Sequence, residues 1–198
     1  TPSAAVATSA ATASAPAPNA NLLGSVLGLT GSVVQVVSQT VSNLLYPVVQ
    51  RKEALPQSIT VTKVIGVSGG SISIPEAGLT ITFSAGAVQS AMPITVTADA
   101  GTAVSYEFGP HGTLFYAPVT VAQDMSMTTL ADNPSAASSI RGGYTANGLA
   151  DLLGGLLARV AEILDASTTL VKGSDGNLHL GTTSFIIKHF SGYILISA

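Results

Sequence analysis

From Ser58 to Gln123 the chain alternates apolar residues with small polar ones at a period of two. SITVTKVIG, SISIP, LTITF, PITVTA, VSYEF and APVTVAQ all follow this pattern and are bounded by Gly, Pro or Asp. A strand of this kind has one apolar face and one hydroxyl-lined face, which suits a sheet buried on one side. Short strands at this spacing predict a mainly β domain, an antiparallel β-sandwich over residues 58–198. PEAG (75–78) and GPHG (109–112) read as turns. The strand pattern breaks at about 131–183, where ADNPSAASSIRGGYTAN reads as a loop, and it resumes after the turn GSDGN with LHLG, SFIIKHF and YILIS.

Two stretches follow a spacing of three and four instead. In residues 21–50, which carry no charge, Leu23, Val26, Leu27, Val33, Val34, Val37, Val41, Leu44, Leu45 and Val48 fall on one face of a helix. Ser25, Ser32, Gln35, Gln39 and Asn43 fall largely opposite, and Pro47 ends the pattern near Tyr46. The stretch is long enough to span a membrane, but its Ser, Thr, Gln, Asn and Gly residues favour an amphipathic helix packed on protein. RKEALPQ (51–57) reads as a polar linker that closes this helical region, 21–57. The second stretch, GLADLLGGLLARVAEILDAS, predicts a helical insertion with a face of Leu149, Leu152, Leu153, Leu156, Leu157, Val160, Ile163 and Leu164. Burying eight such side chains contributes on the order of 10 kcal/mol before ordering entropy, so this helix is expected to pack on the sandwich or on a partner.

Composition narrows the function. Charged residues make up 9% of the chain, against about a quarter in an average soluble domain. The net charge is -3 and no basic stripe is present, which argues against nucleic acid as a partner. A surface so poor in charge is expected to be partly covered by another molecule. The absence of cysteine excludes disulfides, thiolate metal sites and a cysteine nucleophile. Residues 1–20, rich in Ala, Ser, Thr and Pro, predict a flexible or extended arm. A chain starting at Thr1 with small residues fits a mature exported protein, periplasmic or extracellular and peripheral to a membrane.

GPHGTLFYAPVTV resembles the signature of the ZU-five domain, a β-sandwich of netrin receptors, ankyrins and zonula occludens proteins and of many exported bacterial proteins. Gly109, Pro110 and Gly112 match its turn, and Phe115, Pro118 and Val119 match the aromatic and Pro-Val that follow. Upstream, Gly69, Gly70, Gly86 and Ala87 match, whereas Ser84 and Ala85 replace the prolines usual before the Gly-Ala step. HFSGY is similar to the family's closing strand. The resemblance covers about residues 59–125 and 183–197. In some relatives the closing strand cuts itself, which here would make Ser191 the nucleophile, the Phe190 carbonyl its target and His189 the base. Read from the residues alone, the same positions form a packed strand with Gly192 at a bulge.

Other chemistry has thinner support. His111, His179 and His189 lie far apart in sequence and read as turn or surface residues rather than zinc ligands. Asp124 with Asp132, and Asp151 with Glu162 and Asp165, read as solvated acids. GSDGN lacks the repeated oxygen ligands of a calcium loop, and GLADLLGGLL lacks the Lys-Ser/Thr of a phosphate loop. No metal or organic cofactor is expected. The reading is a non-catalytic extracytoplasmic accessory subunit that docks onto a larger, membrane-bound protein complex. A photosynthetic or respiratory assembly is one candidate host. The docking face is Leu23, Val26, Leu27, Val33, Val34, Val37, Val41, Leu44 and Leu45, with no membrane span of the chain's own. The alternatives are a protein cut by itself at Phe190–Ser191, and an adhesin or ligand-binding module.

Overall fold

Two antiparallel sheets face each other across a single apolar core. The computed structural model describes residues 45–198. The arm, and the predicted helix as far as Leu44, lie outside the described residues, and with them Leu23, Val26, Leu27, Val33, Val34, Val37 and Val41. One sheet has six strands in the order β13 (Glu162–Leu164), β10 (Ile140–Thr145), β16 (Gly192–Ser197), β8 (Ser105–Gly109), β6 (Met92–Ala98), β3 (Ile59–Ile65). The other has five: β14 (Ala166–Lys172), β15 (Leu178–His189), β9 (Leu114–Asp124), β5 (Leu79–Phe83), β4 (Gly70–Ile74). A three-stranded sheet orders β1 (Leu45–Pro47), β12 (Leu157–Arg159) and β11 (Leu152–Leu153), and β2 (Gln50–Leu55) pairs with β7 (Gly101–Ala103).

The period-two pattern sorts residues between core and surface. Ile94, Val96, Tyr106 and Phe108 of one sheet are buried with Ile72, Ile81, Val119, Val121 and Phe185 of the other. Their sequence neighbours carry hydroxyls outward. On the paired strands β3 and β6, Thr60 meets Thr97 and Thr62 meets Thr95, each with oxygens 2.9 Å apart. The turns form as their residues dictate. Pro75–Ala77 makes one 3-10 turn that ends at Gly78 in the left-handed region, and the Gly109–Pro110 bond is cis.

β16 has no solvent face through Ile196. Tyr193 and Leu195 enter the main core, whereas Ile194 and Ile196 join Val48, Ala103, Ala158 and Val160 in a second cluster on the outer side of the six-stranded sheet. The three-stranded sheet supplies that cover. Adjacent glycines in β10 allow the layers to close. A Cβ on Gly142 would lie 2.7 Å from the Phe185 ring, and one on Gly143 3.0 Å from Val160.

Three expectations are corrected. Residues 149–164 are not a helix. They form a short 3-10 turn, Gly148–Asp151, followed by β11, β12 and β13. Gly154 and Gly155 interrupt the apolar spacing at positive φ, +60° and +73°, which ends any helical run there. The insertion as a whole is strand-rich, since β10, β14 and the start of β15 all fall within 131–183. Upstream, Leu45 lies in β1 and not on a helix, and most of the linker 51–57 is strand β2. Val48 and Val49 are buried, and Val49 exchanges backbone bonds with Leu195 and Val104. The predicted helical region therefore gives way to sandwich structure by Leu45.

Candidate functional site

The closing-strand triplet lies where β15 turns into β16. Phe190 is 2% exposed and sits at the centre of an aromatic cluster. Its ring meets Phe115 edge-on at 4.6 Å, stacks on Phe108 at 6.1 Å and contacts Phe83 at 6.5 Å. Phe190 N–H donates to the Thr113 carbonyl, and its own carbonyl accepts from Gly112 N–H at 3.3 Å. The turn 109–113 is thereby fastened to the strand end. The turn GPHG and the segment HFSGY, far apart in sequence, meet here.

His189 and Ser191 have separate partners. The Tyr193 hydroxyl donates to the His189 carbonyl at 2.8 Å and stands 3.2 Å from Nδ1 of its ring, which lies edge-on to Tyr144. The Ser191 hydroxyl is buried and faces the Thr145 carbonyl at 3.5 Å. Among the described residues no hydrogen bond joins His189 to Ser191. A serine that attacks its preceding carbonyl needs a base in contact with its hydroxyl, and the imidazole is not so placed. Glu107 lies across from Gly192 in the β8–β16 pair. Burial first, then the charge of Asp99, raises the Glu107 carboxyl above its ordinary value, with His111 opposing at 3.7 Å.

A second polar group is buried between the layers. Arg51 is 3% exposed, and its Nη1 donates to the carbonyls of Asp99 and Gly101 at 3.3 Å and, at closer range, of Ala103. The guanidinium carbon stands 5.9 Å from the centroid of the Tyr106 ring. The Tyr106 hydroxyl donates to Gln123 Oε1, joining β8 to β9 across the core, and Gln123 Nε2 donates to Ala77 and Asp124 carbonyls. Burial pushes the Tyr106 phenol far above its ordinary value. Burial also raises the Asp99 carboxyl, with the Ser105 hydroxyl and the Arg51 charge holding it down in part. These contacts are structural. Arg51 gathers the turn 99–103, and Gln123 ties the two sheets.

The remaining acids and histidines are distributed differently from their sequence pairing. Asp124 caps a 3-10 turn by accepting from Ser126 N–H, and Asp132 is not its partner. Asp151 is buried and accepts from the Asn147 backbone and amide, with Arg159 at 3.8 Å. His179 is the unexpected case, since it bridges Asp132 and Asp175. The Asp175–His179 spacing across GSDGN is visible in the sequence. The Asp132 contact spans 47 positions and has no local signal. Among the described residues no three His, Asp or Glu side chains are placed to hold a metal ion, and no helix is long and apolar enough to cross a membrane.

The largest departure from expectation is at 149–157. Leu149, Leu153, Leu156 and Leu157 are 40–64% exposed, whereas Ala158 and Val160 are buried. The eight-residue apolar face does not exist as one surface. Four of its leucines line the outside of the 3-10 turn and the β11–β12 hairpin. No family model matches the chain, and no curated protein matches it.

Proposed function

We propose that this chain is a non-catalytic β-sandwich module that works by binding another protein. The observation that carries the reading is the exposed cluster of Leu149, Leu153, Leu156 and Leu157, the last three on a segment without charge between Asp151 and Arg159. Exposed large apolar side chains concentrated on one short segment are a mark of an interaction surface. The separate partners of His189 and Ser191 support the non-catalytic reading, because the self-cutting alternative needs those two side chains together. The turn–strand clasp of 109–113 on Phe190 supports a ZU-five-like sandwich, in which these motifs are structural.

In the fuller form of this proposal the protein is exported and sits on the extracytoplasmic side of a membrane-bound complex, photosynthetic or respiratory. The apolar residues of 21–44 add a second docking element. The test is purification from the native membrane and identification of the co-purifying subunits, for the intact chain and for one lacking residues 1–43. The cut must stop there, because Val48 and Val49 belong to the core. The expected result is a defined partner set that the truncation weakens. Recovery of the intact chain from the membrane fraction free of any stoichiometric partner would refute the reading.

A further inference from the structure

His179 stands on β15 opposite Val171 of β14, two residues beyond the hairpin turn that carries Asp175 and Asn177. Its Nδ1 is 2.8 Å from Asp132 Oδ1, in the loop after β9. Its Nε2 is 3.0 and 3.2 Å from the two oxygens of Asp175. Asp175 is itself held by the backbone and side-chain amides of Asn177, at 3.0 and 2.8 Å. Lys52 of β2 approaches Asp132 Oδ2 at 3.9 Å. Lys172, the charged residue of β14, lies opposite Leu178 and so projects from the other side of the ribbon. The charged groups around the imidazole are therefore Asp132, Asp175 and, through Asp132, Lys52. Gly173 makes room for the arrangement, since a Cβ there would lie 2.5 Å from Asp175 Oδ1 and 2.6 Å from His179 Nε2.

An imidazole can donate from both ring nitrogens only when it is doubly protonated. We propose that Asp132–His179–Asp175 is a proton-operated clasp, which ties the loop after β9 to the β14–β15 turn and releases that loop when the imidazole loses a proton. The neutral ring turns a lone pair toward one of its two carboxylates. Asp175 is four residues away within the same turn, while Asp132 comes from a distant loop and has Lys52 as a substitute partner. The side that opens is therefore Asp132.

The pH window follows from both groups. Asp175 and then Asp132, by hydrogen bonding, hold the His179 pKa above its ordinary 6.5. The imidazole's contribution is thus complete below 6.5 and is lost as pH rises through its raised value. His179 and then Asn177 hold the Asp175 carboxyl down, to about 2. Its contribution is complete above its ordinary 3.8 and is lost as pH falls through about 2. The contribution of the pair to stability is therefore complete between 3.8 and 6.5, and the clasp opens only as pH rises through the raised His179 value.

The test is a pH titration of the isotopically labelled full chain by NMR, following the His179 ring nitrogens and backbone amide exchange. The Leu180 amide is the natural reporter, because it donates to the Ala131 carbonyl at 2.8 Å, beside Asp132. We expect a His179 midpoint above 6.5, deprotonation at Nδ1, and loss of Leu180 protection above that midpoint. Asp132→Asn and Asp175→Asn, both at exposed sites, should each lower the midpoint. Unchanged midpoints in both variants would overturn the proposal. So would Leu180 protection in the wild type that is the same on either side of the midpoint after correction for intrinsic exchange.

Discussion

Two apolar runs of this chain meet opposite fates. YILI, residues 193–196, is buried on both faces of β16, while LADLLGGLLA, residues 149–158, leaves most of its leucines in solvent. Hydrophobicity does not separate them. Position does: β16 is a central strand, with β8 on one side, β10 on the other and the small three-stranded sheet above it. The leucine segment forms part of that small outer sheet. Its inward residue Ala158, with Val160 just beyond the segment, covers β16, and among the described residues its outward leucines meet no further layer. An outermost layer must expose one side, and here that side is leucine where most surfaces would carry charge.

The sharpest way to break the comparison is at the end of the buried run. Phe190→Ala should destabilise the fold by about 3–5 kcal/mol, since it empties the centre of a four-phenylalanine cluster. Chemical denaturation measures this directly. A loss below about 1 kcal/mol, the size of a surface change, would mean that the aromatic cluster does not anchor the sandwich.

Tyr106→Phe comes next. It removes the donor to Gln123 Oε1 while leaving the ring in place. A buried acceptor left without its donor costs about 1–3 kcal/mol. A neutral result would show that Gln123 finds another donor. Gly142→Ala falls in the same range, because its added methyl meets the Phe185 ring at 2.7 Å and overpacking costs about 1–3 kcal/mol. Unfolding by urea, read by tyrosine fluorescence, ranks the two.

Much of this architecture was legible in the sequence, and the failures have physical causes. The alternating segments from Ile59 to Gln123 became β3 to β6, β8 and β9, because a one-sided buried sheet imposes period two on its residues. β10 stayed hidden, since Gly142 and Gly143 weaken its strand pattern for the sake of close approach between layers. The apolar residues of 149–164 fall at helical spacing in the sequence, yet they lie on a 3-10 turn, three short strands and the links between them. Two adjacent glycines in the middle of the stretch were the contrary signal. At the candidate site, the triplet His189, Phe190 and Ser191 was visible, but its dominant member is the phenylalanine. The partners of Phe190 come from residues 83, 108 and 115, beyond the reach of local pattern.

The gentlest substitutions carry the functional question. Leu153 and Leu156 are 41% and 64% exposed, so Leu153→Ser with Leu156→Ser removes apolar surface without opening a cavity. Each should change stability by no more than about 0.5 kcal/mol, as surface positions do. Binding should respond differently. Interface energies concentrate in a few well-buried contacts, and losing one costs about 2 kcal/mol or more. If Leu153 and Leu156 belong to the proposed docking face, replacing both should therefore weaken association at least about thirtyfold while leaving the melting temperature nearly fixed. The pairing of these two readouts is what makes the experiment decisive. A variant that melts early would show that the leucines cover β16 after all, and the patch would become core. A variant with unchanged stability and undiminished co-purification would remove this face from the interface. The proposed docking surface would then have to be sought in residues 1–44, which carry no charge.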